Sequence, residues 1–232
     1  MIEEQLREVR SRIQAAQERS PYAADEVKLL AVSKTFPMEN ILEAVSAGQM
    51  SFGENRVQEL LTKYEVRPDL SWHLIGHLQT NKVKYIIGKT VLIHSLDRLE
   101  LAEEIEKRSA KANIITHCLV QLNIAEEETK SGLMVGELRG FLDEIPRFPH
   151  LSVDGLMTIG PHTDDGQAIR ACFAKLRELK TEEQKISRPN CCLRELSMGM
   201  SHDFEMAVEE GATIVRVGSS IFGQRDYTKQ KG

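Results

Sequence analysis

Short apolar runs alternate with amphipathic stretches along most of this chain. The apolar runs are rich in β-branched residues, which predicts strands, and the stretches between them have the 3.6-residue periodicity of helices. Eight strands are predicted, at 27–32, 49–52, 72–75, 91–94, 114–124, 151–159, 191–196 and 213–217. Seven helices are predicted between them, at 38–47, 56–66, 79–87, 98–111, 135–145, 165–185 and 202–210. Strict alternation of this kind is typical of a parallel sheet.

One further helix is predicted ahead of the first strand, over 2–17, where Ile2, Leu6, Val9 and Ile13 recur at helical spacing. Eight β/α units in 232 residues suit a (β/α)8 TIM barrel, which typically takes about 250 residues. An open doubly wound sheet is the alternative, but its GxGxxG fingerprint is absent after the first strand. Without a linker-like segment, we predict one domain over 1–232, with an N-terminal helix in 1–20 and the barrel over 27–223.

The composition limits the partners of this fold. Lys and Arg number 30 against 35 Asp and Glu, a net charge of −5, which gives no support for binding nucleic acid or an anionic membrane. No apolar run reaches the ~18 residues of a membrane span, and the acidic N-terminus is unlike a signal peptide. The four cysteines lack a CxxC spacing, so we expect neither zinc nor thioredoxin chemistry, and a reducing cytoplasm is the expected location.

Polar residues gather where the predicted strands end, which is the working face of parallel β/α folds. Lys34 follows the first strand directly. It is either a lysine whose stem covers apolar surface while its amine reaches water, or an amine whose pKa is lowered by burial and nearby positive charge. An amine of the second kind can attack a carbonyl and form a Schiff base.

Ser201, Gly218 and Ser219 follow the last two strands, where barrels often bind phosphate. Serine hydroxyls and free backbone N–H groups at a glycine turn or a helix start make an anion site. The simpler interpretation is that Ser201 caps the helix over 202–210 and that Gly218 is a turn residue.

Arg216 lies on the last strand and shares a face with Gly218, two positions on. A charged side chain there must be paired or contact a ligand. One alternative is an interior salt bridge with Glu54 or Glu195. A basic group, a phosphate site and a reactive lysine on one rim together indicate a phosphorylated carbonyl cofactor.

Seven ordered motifs lie between residues 27 and 225. The motifs are Ala31-Val32-Ser33-Lys34, Phe52-Gly53-Glu54-Asn55-Arg56-Val57-Gln58-Glu59, Trp72-His73-Leu74-Ile75-Gly76-His77-Leu78-Gln79-Thr80-Asn81-Lys82, Lys130-Ser131-Gly132, Gly155-Leu156-Met157, Glu195-Leu196-Ser197-Met198-Gly199-Met200-Ser201 and Arg216-Val217-Gly218-Ser219-Ser220-Ile221-Phe222-Gly223. In these motifs the chain resembles one known family, the pyridoxal phosphate homeostasis proteins (the YggS/PROSC group), which are similar to the barrel domain of alanine racemase.

The resemblance implies a barrel that carries pyridoxal 5′-phosphate (PLP) as a Schiff base on Lys34. It further implies that Ser201, Gly218 and Ser219 hold the phosphate, that Arg216 approaches the pyridine nitrogen, and that Asn55 lies beside the cofactor. No catalytic residue and no metal ligand are expected.

The resemblance also implies a role in intracellular vitamin B6 homeostasis, in which the protein holds PLP without turnover and releases it, with apo PLP-dependent enzymes as candidate recipients. A racemase is the alternative, but it needs a second base, which racemases take from a C-terminal domain of the partner subunit, and this chain ends shortly after its last predicted strand. A third hypothesis is a barrel enzyme that forms a Schiff base between Lys34 and a phosphorylated sugar. We expect a monomer that binds neither nucleic acid nor membranes.

Overall fold

The computed structural model describes residues 1–127 and 131–223, and these form a closed barrel of parallel strands. Each strand pairs with the next along the chain, and the last pairs with the first, where Leu30 lies opposite Arg216. The strands are β1 (Lys28–Val32), β2 (Ser51–Glu54), β3 (Ser71–Leu74), β4 (Leu92–Leu96), β5 (Thr116–Leu122), β6 (Leu151–Thr158), β7 (Cys191–Ser197) and β8 (Ile214–Val217). The prediction of a (β/α)8 barrel is confirmed, and the open sheet is excluded.

Helices lie ahead of the first strand, between the strands and after the last one. They are α1 (Ile2–Arg19), α2 (Met38–Ser46), α3 (Val57–Val66), α4 (Val83–Ile86), α5 (Leu99–Ala112), α6 (Leu138–Glu144), α7 (Gly166–Glu183), α8 (Phe204–Glu209) and α9 (Ser219–Phe222). Short 3-10 turns cover Thr80–Lys82, Val135–Glu137 and Ile145–Arg147.

The extra N-terminal helix, α1, packs on the outside of the barrel against α2, α8 and α9. Its buried residues fall on one face, as the spacing predicts: Ile2, Leu6, Val9, Ile13 and Ala16. Arg12 makes a two-pronged hydrogen bond to Glu205 of α8, at 3.0 and 3.3 Å. The helix α1 therefore covers apolar surface of α8 and α9, which lie next to the carboxyl end of the barrel.

Alternation along the strands separates the inside of the barrel from its outer face. An inner apolar cluster is formed by Leu30, Leu92, Leu119, Met157 and Ile214. Their strand neighbours Ala31, Val120 and Val215 belong instead to the larger core between strands and helices. This parity places Arg216 inside the barrel, two residues beyond Ile214, and gives Val32 the inward direction of Leu30.

Several predicted element boundaries differ from those observed. The helix expected over 79–87 begins as a 3-10 turn, because Arg98 Nη2 binds the carbonyl of Leu78 at 2.8 Å and holds the entry loop. The strand expected over 114–124 ends at Leu122, because the N–H of Asn123 turns to the carbonyl of Leu133 at 2.9 Å. The short helix α9 was not predicted.

All four cysteines are free thiols. Among the described residues no helix combines the length and the apolar composition that crossing a bilayer takes. The single-domain assignment over 1–232 stays a prediction. Lys130 and residues 224–232, which include the end of the resemblance near Arg225, lie outside the described residues.

Gly155 gives a test of the barrel's closure. A Cβ at Gly155 would lie 2.0 Å from the carbonyl oxygen of Glu195, so β6 and β7 pair only because the residue is glycine. We expect Gly155→Ala to lower the free energy of unfolding by about 3 kcal/mol or more, as overpacking of a rigid contact does. The control, Gly140→Ala, lies in α6 with open space around its Cβ and should raise the free energy by about 0.5–1 kcal/mol. Urea unfolding measures both, and a Gly155→Ala protein as stable as wild type would contradict the observed pairing.

Candidate functional site

A single pocket at the carboxyl end of the barrel brings together all six residues predicted for the site. These are Lys34, Asn55, Ser201, Arg216, Gly218 and Ser219. The remaining wall is largely apolar and consists of Val32, Ile75, Met157, Ile159, Met200 and His202, of which the sequence indicates Met200 alone. The six residues come from the ends of β1, β2, β7 and β8, as the expected location requires. Their roles towards a ligand stay predictions.

Lys34 is half-buried and lies in a tight turn directly after β1. The next residue, Thr35, has a φ of 70°, which is unusual for a β-branched residue. The turn is fixed on both sides of the lysine. Ser33 Oγ donates to Glu54 Oε1 at 2.6 Å, and the N–H of Thr35 donates to Glu59 Oε1 at 2.6 Å. Lys34 therefore projects from a rigid backbone.

A buried ion cluster between β2 and α3 supports this turn. Lys63 Nζ donates to Glu54 Oε1 at 2.7 Å, to Glu59 Oε1 at 2.8 Å and to the carbonyl of Ser33 at 2.8 Å. Burial outweighs the attraction of Lys63 and raises the pKa of Glu54 to about 7. Within the described residues, Glu54 Oε2 has no hydrogen-bond partner. The sequence analysis missed this cluster, although Glu54 and Glu59 stand in the second motif.

Arg216 is buried, with 4% of its surface exposed. Its Nη1 donates to Ser197 Oγ at 2.7 Å, and its Nη2 donates to the carbonyl of Thr158 at 2.9 Å. Burial removes water from the guanidinium and lowers the pKa of Arg216 to about 10, whereas Asp203 raises it by a smaller amount.

The interior salt bridge considered for Arg216 is not formed. Glu54 pairs with Lys63, and Glu195 pairs with Lys28 at 2.6 Å. Across residues 1–127 and 131–223, no carboxylate lies within ion-pair distance of the Arg216 guanidinium, whose partners are a hydroxyl and a carbonyl. A buried cation with neutral partners favours an anionic or electron-rich ligand in the pocket.

Hydroxyl and backbone N–H groups meet at one corner of the pocket. Ser201 Oγ accepts hydrogen bonds from the N–H of Gly218 at 3.1 Å and from the N–H of Ser220 at 3.4 Å. Ser219 begins α9 and also lines the pocket. A Cβ at Gly218 would lie 3.1 Å from the carbonyl oxygen of Val32, so this corner has little room for a side chain. The arrangement suits a group rich in acceptor oxygens.

Ser201 does not open a helix, contrary to the prediction. The helix α8 begins at Phe204 after the N-cap residue Asp203. Asp203 Oδ1 accepts the N–H of Met200 at 2.5 Å and folds the intervening residues into a turn. Gly199, with a φ of 90°, lets the chain enter that turn, and a Cβ there would lie 2.5 Å from Ala207 Cβ. Ser201 is therefore a pocket residue rather than a helix cap.

A line of hydrogen bonds continues from Arg216 into the barrel. Ser197 Oγ lies 2.9 Å from His94 Nδ1, and His94 Nε2 lies 3.0 Å from His73 Nδ1. Burial lowers the pKa of His73 to about 4 and that of His94 well below its ordinary value. The sequence analysis placed both histidines on strands but missed their connection. Their alternation with apolar neighbours on β3 and β4 was the available signal.

Comparison with known proteins shows the family of this chain. The family model described as alanine racemase, N-terminal domain, matches residues 5–226. A pyridoxal phosphate homeostasis protein of Aquifex aeolicus is 51% identical over 97% of this chain and 98% of its own length. The Escherichia coli protein of the same name is 37% identical over 99% of each chain.

Solved structures extend the comparison. PipY of Synechococcus elongatus, solved with PLP bound, is 37% identical, has a TM-score of 0.83, and covers 96% of this chain and 100% of its own. The alanine racemase of Corynebacterium glutamicum is 14% identical with a TM-score of 0.66 and shares the fold. This chain covers 62% of that racemase.

The match to the family model over residues 5–226 shows that this protein is a member of the alanine racemase N-terminal domain family, and its closed parallel barrel is the corresponding fold. Within that family, the relatives that are 51% and 37% identical over nearly the full chain are both pyridoxal phosphate homeostasis proteins. The chain belongs to the family of the pyridoxal phosphate homeostasis proteins, as the seven motifs predict.

The raised pKa of Glu54 gives a test of the ion cluster. A carboxyl whose pKa rises from 4.5 to about 7 on folding binds more protons in the folded than in the unfolded state between those values. The free energy of unfolding therefore falls as the pH rises through this window. We expect wild type to lose about 2 kcal/mol from pH 5 to 7.5 relative to Glu54→Gln, since one unit of pKa is worth about 1.4 kcal/mol. Urea unfolding at the two pH values measures it. The control, Glu65→Gln, changes an exposed residue of α3, the helix that carries Glu59 and Lys63, and should follow wild type. Equal pH dependence of wild type and Glu54→Gln would contradict the buried carboxyl.

Proposed function

We propose that this protein binds PLP as a Schiff base on Lys34 and serves intracellular PLP homeostasis. The observation that carries the proposal is the buried guanidinium of Arg216, which shares a pocket with a lysine and a hydroxyl-rich corner. The PLP-bound structure of PipY and the names of the relatives support it.

The residues of the pocket fit each part of PLP. Its phosphate suits the corner of Ser201, Gly218 and Ser219, where the two serines supply hydroxyl donors and Gly218 keeps the corner clear of a side chain. Its flat ring suits the apolar walls, with Asn55 beside it. Its aldehyde, when PLP is bound, condenses with the amine of Lys34 to an imine with loss of water. The hydrogen bonds of the turn at Thr35 fix the backbone from which the Lys34 side chain projects.

Arg216 favours holding PLP over turnover. Enzymes that use PLP as a strong electron sink place a carboxylate beside the pyridine nitrogen and so keep it protonated. A guanidinium beside that nitrogen disfavours its protonation, because it is itself a permanent cation and can only donate. The ring then withdraws electrons weakly. Arg216 thus leaves the covalent bond to Lys34 as the main consequence of binding.

Release completes the proposed role. An imine is hydrolysed reversibly, so the protein can return PLP to solution or to apo PLP-dependent enzymes. We infer a cytoplasmic place of action, where free thiols such as the four of this chain persist. A monomer suffices for this role, since the six proposed binding residues come from one chain.

Lys34→Ala tests the covalent bond. With PLP added, wild type should gain the visible absorption band of a Schiff base, and Lys34→Ala should lose it, because no other lysine lines the pocket among the described residues. The control, Lys84→Ala, alters an exposed lysine of α4 and should keep the band. An unchanged band in Lys34→Ala would refute the assignment of Lys34.

The racemase alternative predicts a different result. Purified protein with PLP and L-alanine or L-serine should leave the amino acid's chirality unchanged after long incubation, since Arg216 keeps the ring a weak electron sink. Chiral chromatography measures this. Many molecules of D-amino acid per protein molecule would overturn the non-catalytic role while leaving the Lys34 bond intact.

A further inference from the structure

The interior of this barrel carries a polar line where such barrels ordinarily pack branched apolar side chains. The line runs from Arg216 on β8 through Ser197 on β7 and His94 on β4 to His73 on β3. β4 and β7 are not neighbours, so the bond between His94 and Ser197 crosses the barrel. Ser197 and His94 have no exposed surface. A buried polar line lowers stability unless each of its groups has a hydrogen-bond partner. When every group has one, the line fixes the positions of its side chains.

The order of protons along this line follows from Arg216. A guanidinium only donates, so Ser197 Oγ accepts from Arg216 Nη1. The serine hydroxyl has one proton of its own, and His94 Nδ1 is the remaining partner that the described residues offer it. If His94 Nδ1 donated instead, that buried hydroxyl proton would have no acceptor, which costs free energy. His94 Nδ1 therefore accepts.

The same reasoning extends to the second histidine. Because Nδ1 of neutral His94 is unprotonated and accepts from Ser197, the ring proton of His94 is on Nε2. This Nε2–H donates to His73 Nδ1 at 3.0 Å. The positive charges of Arg216 and of a protonated His73 would both oppose protonation of His94, and burial opposes it further. Every hydrogen bond of the line is therefore donated in the same direction, from Arg216 at the pocket towards His73.

We propose that Ser197 and His94 are positioning residues that fix the Arg216 guanidinium at the pocket floor and hold it there as a hydrogen-bond donor towards the ring of PLP. With one N–H bound to Ser197 and another to the carbonyl of Thr158, the guanidinium plane is fixed at two points. Its remaining N–H groups are available to the pocket that Arg216 lines. The inference rests on the proposed function for its ligand, but the proton order is a property of the protein alone.

The first experiment uses the protein without PLP. In two-dimensional NMR of 15N-histidine-labelled wild type at pH 7, His94 and His73 should both be neutral, with the proton on Nε2 and an accepting Nδ1. A proton on His94 Nδ1 would overturn the proposal. This result does not depend on PLP binding, so it separates a failure of the proposed line from a failure of the proposed function, which a wild type that binds no PLP would reveal.

The second experiment measures PLP binding by Ser197→Ala. Loss of the serine leaves one N–H of Arg216 and Nδ1 of His94 without a partner, so we expect affinity for PLP to fall about tenfold or more and the absorption maximum of the bound form to move. Ser197→Thr keeps a hydroxyl and should restore the wild-type absorption maximum.

The matched control is Ser95→Ala. Ser95 is a buried serine on β4 next to His94, and within the described residues its Oγ has no hydrogen-bond partner. Its removal should leave both affinity and absorption maximum unchanged. A Ser197→Ala protein that binds PLP within twofold of wild type, with the same absorption maximum, would overturn the proposal. If Ser197→Ala does not fold, the histidine tautomers of wild type still decide it.

Discussion

The structure of the site depends on one constraint, the burial of the Arg216 guanidinium inside the barrel. A charge removed from water must be compensated, and here the described residues supply a hydroxyl and a carbonyl rather than a carboxylate. That choice leaves an uncompensated positive charge in the pocket. In the proposed function, this one cation both attracts PLP and keeps the bound ring a weak electron sink.

Two separate sets of hydrogen bonds position the two charged groups of the pocket, Lys34 and Arg216. On one side, Glu54, Glu59 and Lys63 hold the turn that carries Lys34, from the outer face of the strands. On the other side, Ser197 and His94 hold Arg216 from the inner face. The alternation of side chains along parallel strands makes both supports possible, because successive residues of one strand serve opposite faces.

Much of this architecture is predictable from the sequence. The alternation of strands and helices suffices for the barrel, and residues after the strands converge because parallel strands end on one rim. Lys34, Arg216 and the serines are found this way. The line of hydrogen bonds that continues from Arg216 is not found this way, because its bond between His94 on β4 and Ser197 on β7 depends on how the barrel closes, which a linear pattern does not encode. The sequence predicts that Ser201 opens a helix, whereas the carboxylate of Asp203 accepts the N–H of Met200 and the helix begins only at Phe204. Helix starts depend on such local competition.

The central claim is that Lys34 carries PLP, and trapping of the bond tests it most directly. Wild-type protein incubated with PLP is reduced with borohydride, digested, and mapped by mass spectrometry. The account predicts one pyridoxyl adduct, on the peptide that contains Lys34. An adduct confined to another lysine, or none at all under conditions that trap Schiff bases, would contradict it.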